Sequence, residues 1–322
     1  MSPTTCCACD KPIEGEVIAL GQRAYCATCY AKVVRNRRGL WWSSLAQVLI
    51  LVAFVVLVEV VVGVAKPQLQ GAGLVLVGII LALVPAILWL VFFYGLDYRE
   101  PEPKQLVLGV FLLGALLARA VGIPLIEDVF RAPEWLARTT LVHILGAILV
   151  VGFTQQFLIY AAVRYTVYRA AEFDERVDGI IYTVAAALGY ATMVNIAYVV
   201  QSGGVDLVSG MIRITVTALA LASFGGLSGY FLGRCKFEDE PLWWMPVGLI
   251  LASVLDGLFT YARGEITTTA LSLAGGGYNP WPGLILGAVV ALITFGALFY
   301  LILRIQRRWP QPGPASVAEG GK

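Results

Sequence analysis

Residues 150–160 read Val150-Val151-Gly152-Phe153-Thr154-Gln155-Gln156-Phe157-Leu158-Ile159-Tyr160, and their two adjacent amides lie inside an apolar run spanning 140–163. About 20 apolar residues cross a bilayer as a helix, whose peptide groups bond to one another and leave none facing lipid. Working outward, seven more runs of this kind appear at 41–65, 72–96, 105–122, 179–201, 208–233, 242–262 and 282–303. The run at 105–122 is the shortest. Several are rich in Val and Ile, but they lack the period-two alternation of a closed barrel, so they read as helices. The expectation is an all-α polytopic membrane protein of about eight transmembrane helices.

Composition agrees. Hydrophobic residues are 59% of the 322 and charged residues only 14%, where a soluble domain carries roughly 25% charge. The charges are sorted along the chain. Counting loops alternately, seventeen Lys and Arg fall on the side of the N-terminus, four (Lys66, Arg131, Arg138 and Arg263) on the other, and Arg119 and Arg213 within spans. The positive-inside rule then puts both termini in the cytoplasm. A net charge of +2 carries no nucleic-acid signal. Residues 1–30 are polar and cysteine-rich, so no cleavable signal peptide is expected.

The N-terminus reads CCACDKPIEGEVIALGQRAYCATCYAK. Cys6 and Cys9 make one C-x-x-C, and Cys26 and Cys29 make a second sixteen residues on. Two thiolate pairs at this spacing suit a tetrahedral zinc site. A disulfide pairing is the alternative, disfavoured because the basic flank places the module in the reducing cytosol. So short a segment cannot bury a core unaided, which makes the zinc structural. Cys7 is a spare thiol and Cys235 a lone one. The segment resembles half of a LIM-type finger, which implies a small knuckle with a short β-hairpin. In it Cys26 stands where that family often has His.

Segments farther along resemble the PrsW family of intramembrane proteases. FFYGLDYREPEP, residues 92–103, is similar to the family's acidic loop. VVGFTQQFLIY, followed by AEFDERVDGIIYTVAAALGYATMVNIAYV, resembles a helix with E-E-x-x-K, then a loop ending D-G-I-x-Y, then a helix with E-N-x-x-Y. ALASFGGLSGYFLGRCKF resembles H-A-x-x-G-x-x-x-G-Y-x-L-G. LDGLFTY is similar, more weakly, to a second histidine segment. The likeness covers most of residues 90–262. It implies an intramembrane endopeptidase, and a bacterial plasma membrane as its location.

The departures fall where the resemblance places the chemistry. Gln155 and Gln156 stand at the paired-glutamate positions and Ile159 at the lysine. Val194 replaces the glutamate before Asn195, Leu221 the first histidine, and Asp256 the second. Asn195, Tyr198 and the glycines keep the family's residues. Peptide hydrolysis needs a group that takes a proton from water. A glutamine keeps the shape and hydrogen bonding of glutamate but does not titrate. Two readings stay open. In one, the chain is a pseudoprotease that binds a membrane protein or segment and docks a cytoplasmic partner through its knuckle. In the other, it is an active protease using non-standard residues such as Asp256, with Glu59 or another carboxylate.

Each singled-out residue also has a plain structural reading. Gln155 and Gln156 can be interhelical hydrogen-bonding glue. Asp256 can pair with Arg213, and Glu59 with Arg119, because intramembrane charges need partners. His143, the only histidine, lies twelve residues before Gln155, about 18 Å along a helix, too far for joint chemistry. Gly225, Gly229 and Gly233 form a small-xxx-small face for close helix approach. Trp41, Trp42, Trp243, Trp244 and Trp281 read as interface anchors. The expected organisation is a zinc knuckle at 1–32, a basic linker at 33–40, a helix bundle at 41–306 and a disordered tail at 307–322.

Overall fold

A computed structural model describes residues 5–6, 9, 11–13, 17–20, 23–34, 39–65, 70–96, 103–273 and 279–306. The tail at 307–322, residues 35–38 of the 33–40 linker, residues 97–102 of the acidic loop and Cys7 lie outside the described residues. Among the described residues, eight helical stretches are long and apolar enough to cross a membrane.

The knuckle comes first. Strands β1 (Ile18–Leu20) and β2 (Arg23–Tyr25) form an antiparallel hairpin with Ile18 opposite Tyr25, and α1 (Ala27–Val34) follows directly. Ahead of the hairpin, Thr5 and Pro12 bridge, and the Cys6 N–H donates to the Lys11 carbonyl at 2.9 Å. This tight turn presents Cys6 and Cys9 on one side of the hairpin, as the C-x-x-C spacing requires.

The spans begin with α2 (Gly39–Ala65) and α3 (Ala72–Leu96). The third span, α4 (Lys104–Leu117), is longer than the sequence reading allowed. It continues through π turns at Ala118–Gly122 and Leu125–Val129 to α5 (Ala132–Trp135), giving one apolar stretch over Lys104–Trp135. Glu127 and Asp128 ended the hydropathic run on paper. Pro124, which has no N–H to give, lies between two widened turns, a common way for a membrane helix to absorb a proline. The stretch breaks at Arg131, whose φ of 48° is left-handed. The fourth span is α6 (Thr140–Gly146), a π turn at Ala147–Gly152 and α7 (Phe153–Arg164). Thr139 caps it by accepting from the Val142 N–H at 3.2 Å.

Next come α8 (Asp178–Gln201), α9 (Leu207–Phe237), α10 (Trp244–Leu273) and α11 (Trp281–Gln306). The seventh span runs well past residue 262, so Arg263, assigned from sequence to an outer loop, lies within α10. The hub is α8 and α9. Of their spanning windows 78% and 72% are buried, against 17% for α2. Their contact explains the glycine repeat: a Cβ on Gly229 would overlap the Thr183 hydroxyl and the Gly179 carbonyl, and one on Gly233 the Arg176 carbonyl. Small residues let the backbones touch where lipid supplies no hydrophobic drive. Large apolar side chains such as Val64, Leu149 and Ile293 point outward, as a lipid-facing surface requires.

The knuckle is not a free appendage. Cys6, Tyr25 and Tyr30 share one core cluster with Phe173, Tyr182 and Phe237 of the bundle. The Tyr25 hydroxyl donates to the Phe237 carbonyl at 2.7 Å, at the very end of α9. Beside it, Lys236 Nζ donates to the carbonyls of Tyr168 and Phe173, both at 2.7 Å, and Arg176 pairs with Glu238 at 3.1 Å. The loop between α7 and α8 is thus tied to the foot of α9, and the knuckle lies over that junction.

Candidate functional site

Two clusters of polar residues carry the chemistry this chain has to offer. In the first, at the knuckle, the Sγ atoms of Cys6, Cys9, Cys26 and Cys29 all lie within 4.8 Å of one another. The Cys26 N–H points at Cys6 Sγ at 3.4 Å, a contact that favours the thiolate. Burial, then the neighbouring Cys26 and Cys9 thiols, push the Cys29 thiol well above its ordinary range. Four thiols this close cannot all ionise without a cation among them, and binding one displaces their protons. The cluster fits a thiolate-bound metal ion.

The second cluster lies inside the bundle and depends on one close crossing. Gly152 ends the π turn before α7, and Gly257 sits on α10. A Cβ on Gly152 would overlap the Ser253 carbonyl, and one on Gly257 would overlap the Ile148 backbone. Because the backbones meet there, the residues beside them meet too. Gln156 Nε2 donates to Asp256 Oδ2 at 2.9 Å, with both side chains buried (0% and 2% exposed). The amide oxygen, Gln156 Oε1, has no hydrogen-bond partner among the described residues. Gln155, one position on and so about 100° around the helix, faces a cavity of about 110 Å³ instead.

That cavity gathers most of the positions the sequence singled out. Gln155, Val194, Asn195, Leu221 and Asp256 all line it. Asn195 is fixed by its Nδ2, which donates to the Ile214 carbonyl of α9 at 3.2 Å. Ile159, at the family's lysine position, is fully buried in the apolar core near Gly225 and does not reach the cavity. His143 stands apart, edge-on to the Tyr261 ring at 5.0 Å.

The lining also includes Tyr198 and Arg213, both named from sequence, Arg263, which the sequence reading had put in an outer loop, and Thr217 and Thr260, which it missed. The Arg213 guanidinium lies over the Tyr198 ring, 3.4 Å from its centroid. The expected Asp256–Arg213 pair does not form, because Asp256 takes its hydrogen bond from Gln156 and Arg213 stacks on Tyr198. Glu59 and Arg119 are both exposed, and among the described residues no ion pair joins them. A signal for the missed Thr217 existed: it lies one helical turn after Arg213 on α9, so it follows Arg213 on one face.

The profile of the PrsW family intramembrane metalloproteases matches residues 102–295. A "Protease PrsW" of Halalkalibacterium halodurans is 31% identical over 179 residues, covering 55% of this chain and 79% of the relative. The proteins of the same name from Bacillus subtilis and Geobacillus kaustophilus are 29% and 31% identical, over 56% of this chain and 79% and 76% of theirs. No solved structure matches. The matched region excludes the knuckle. A metalloprotease implies a metal in its membrane site, and the donors here do not fit one. The cavity offers a single carboxylate, already bonded to an amide, and two guanidiniums on its wall repel a cation. Among the described residues only the four cysteines bring together three or more metal-binding side chains. With eight spans and a profile match over well over half its length, the chain is a multi-pass membrane protein and belongs to the PrsW family.

Proposed function

We propose that this chain is a non-catalytic member of its family, which holds a segment of a membrane protein in the inherited cavity without cutting it. The observation that carries this reading is the Gln156–Asp256 hydrogen bond. Where two titratable groups would have to divide the work of proton acceptor and donor, this chain sets one carboxylate against an amide that neither accepts nor releases a proton. Gln155 and Asn195 line the cavity with amide groups that a polar side chain of such a segment would bond to.

A second reading, a protease working through Asp256, has one observation in its favour: that carboxylate lines the cavity. The two separate in a cleavage assay on protein in lipid nanodiscs, using single-span peptides labelled at both ends. The non-catalytic reading expects no product from the wild type. Cleavage that disappears in Asp256→Asn would overturn it in favour of the second.

The knuckle binds zinc as a structural ion, through Cys6, Cys9, Cys26 and Cys29, in keeping with the thiol set and its closeness. Both termini lie in the cytoplasm, on the charge bias of the loops. The domain limits at 1–32, 33–40, 41–306 and 307–322 follow the same sequence reasoning. A cytoplasmic protein partner would meet the knuckle on faces other than Tyr25 and Tyr30, which are spent on the bundle.

A further inference from the structure

The cavity is graded from one end to the other. Leu221 lies near the middle of α9, and Asp256 and Gln155 near the middle of their spans. Tyr198, Arg213 and Arg263 all lie toward the ends of α8, α9 and α10 farthest from the knuckle. Arg213 is eight residues from Leu221, about 12 Å along the axis, which is close to the edge of a hydrocarbon core about 30 Å thick. The inner end is therefore amide and carboxylate, and the outer end is cationic.

Arg213 is the anomaly. It is half-buried in a membrane helix, and among the described residues no carboxylate lies within ion-pair distance of it. A charge at that depth is costly unless something offsets it. The Tyr198 face offsets part of it. Stacking also fixes the guanidinium plane and leaves its N–H edge to a planar acceptor, the geometry that binds a carboxylate with two parallel bonds. Thr217 and Thr260 add hydroxyls beside it.

Size narrows the ligand. At about 110 Å³, the cavity is smaller than the roughly 150 Å³ that admits a benzene ring. It takes one side chain, not a length of backbone. We infer that the cavity receives a single acidic side chain from a transmembrane segment, with its carboxylate on Arg213 and its stem between Asn195 and Gln155. The inference rests on the segment-binding reading above and names what that segment must carry.

The probes are two single-span Leu/Ala peptides with one Glu, or one Gln, at interfacial depth. Their binding is read by fluorescence anisotropy with the full chain in uncharged detergent. The Glu peptide is expected to bind at least about tenfold more tightly than the Gln peptide, since hydrogen bonds to charged groups are worth roughly 1.5–3 kcal/mol. Arg213→Gln should remove that preference, weakening the Glu peptide's binding far more than the Gln peptide's. Arg213→Lys, which keeps the charge without the fork, should keep part of it and serves if Arg213→Gln fails to fold. Equal binding of both peptides by the wild type would overturn this inference alone. Binding of neither would count against the segment-binding reading and this inference together. Loss of the Glu preference on adding phosphatidylglycerol would instead assign the site to a lipid phosphate and overturn the acidic side chain as occupant.

Discussion

The two polar clusters differ in what they keep. At the knuckle four thiols converge within 4.8 Å, and each can bind metal. In the bundle the convergence is as close, with Gln156 and Asp256 2.9 Å apart, but the groups brought together cannot do proton chemistry as a pair. One site keeps its donors. The other brings helices together through Gly152 and Gly257 and sets amides and aliphatic side chains beside a single carboxylate. The difference shows that close helix crossing and the chemistry at the crossing are set separately: the glycines fix the first and the side chains beside them the second.

The sharpest break between the two regions is metal dependence. Replacing Cys26 and Cys29 by serine should take bound zinc from one ion per chain to none. A structural zinc site contributes on the order of 10–16 kcal/mol of apparent binding free energy, so the knuckle should lose its fold. The spans should remain, because each satisfies its own backbone in lipid. Metal analysis checks the first statement, and helical circular dichroism in detergent checks the second. Unchanged metal content would show that the knuckle site is somewhere else. A collapse of helicity would show that the two regions are one cooperative unit.

The cavity is tested next, at smaller cost. Gln156→Leu deprives the buried Asp256 of its donor, and leaving such a group unsatisfied costs about 1–3 kcal/mol. Gln156→Glu puts a second carboxylate where the amide stands. Two carboxylates at that distance cannot both ionise cheaply. The ionised form is then resisted by the folded state more than by the unfolded one, so stability falls as pH rises. The melting temperature of Gln156→Glu should therefore drop further below wild type at pH 8 than at pH 5. A flat profile for Gln156→Glu would mean that the two side chains do not meet.

How far the sequence reaches differs between the regions for the same reason. The cysteines are paired at local spacing, so a tetrahedral site can be read from the string alone. The spans were legible from hydropathy, save where Glu127 and Asp128 hid the length of the third and where α10 continued past residue 262. The Gln156–Asp256 bond joins residues one hundred positions apart. Only the family resemblance suggested that they share a site, and on that ground Asn195 and Asp256 were the nearest candidate partners of the glutamines. Arg213 was expected on Asp256 because opposite charges attract, yet an amide took the carboxylate and an aromatic face took the guanidinium. Local helix chemistry says nothing about which of several polar neighbours wins across a bundle.

The smallest effect probes whether the regions communicate at all. Tyr25→Phe removes the hydrogen bond to the Phe237 carbonyl and keeps the ring in its apolar seat. One such bond is worth about 0.5–1.5 kcal/mol, too little to undock the knuckle or release its metal. The carbonyl it leaves closes the last turn of α9, the helix that carries Leu221 and Arg213 to the cavity. If the junction only fastens the knuckle down, hydrogen exchange should rise at residues 17–30 and at the end of α9 and nowhere else. Faster exchange reaching the helix around Arg213, some 24 residues or about 36 Å away, would mean that the cytoplasmic cluster sets the state of the membrane one, and the contrast between a metal site and an independent cavity would no longer hold.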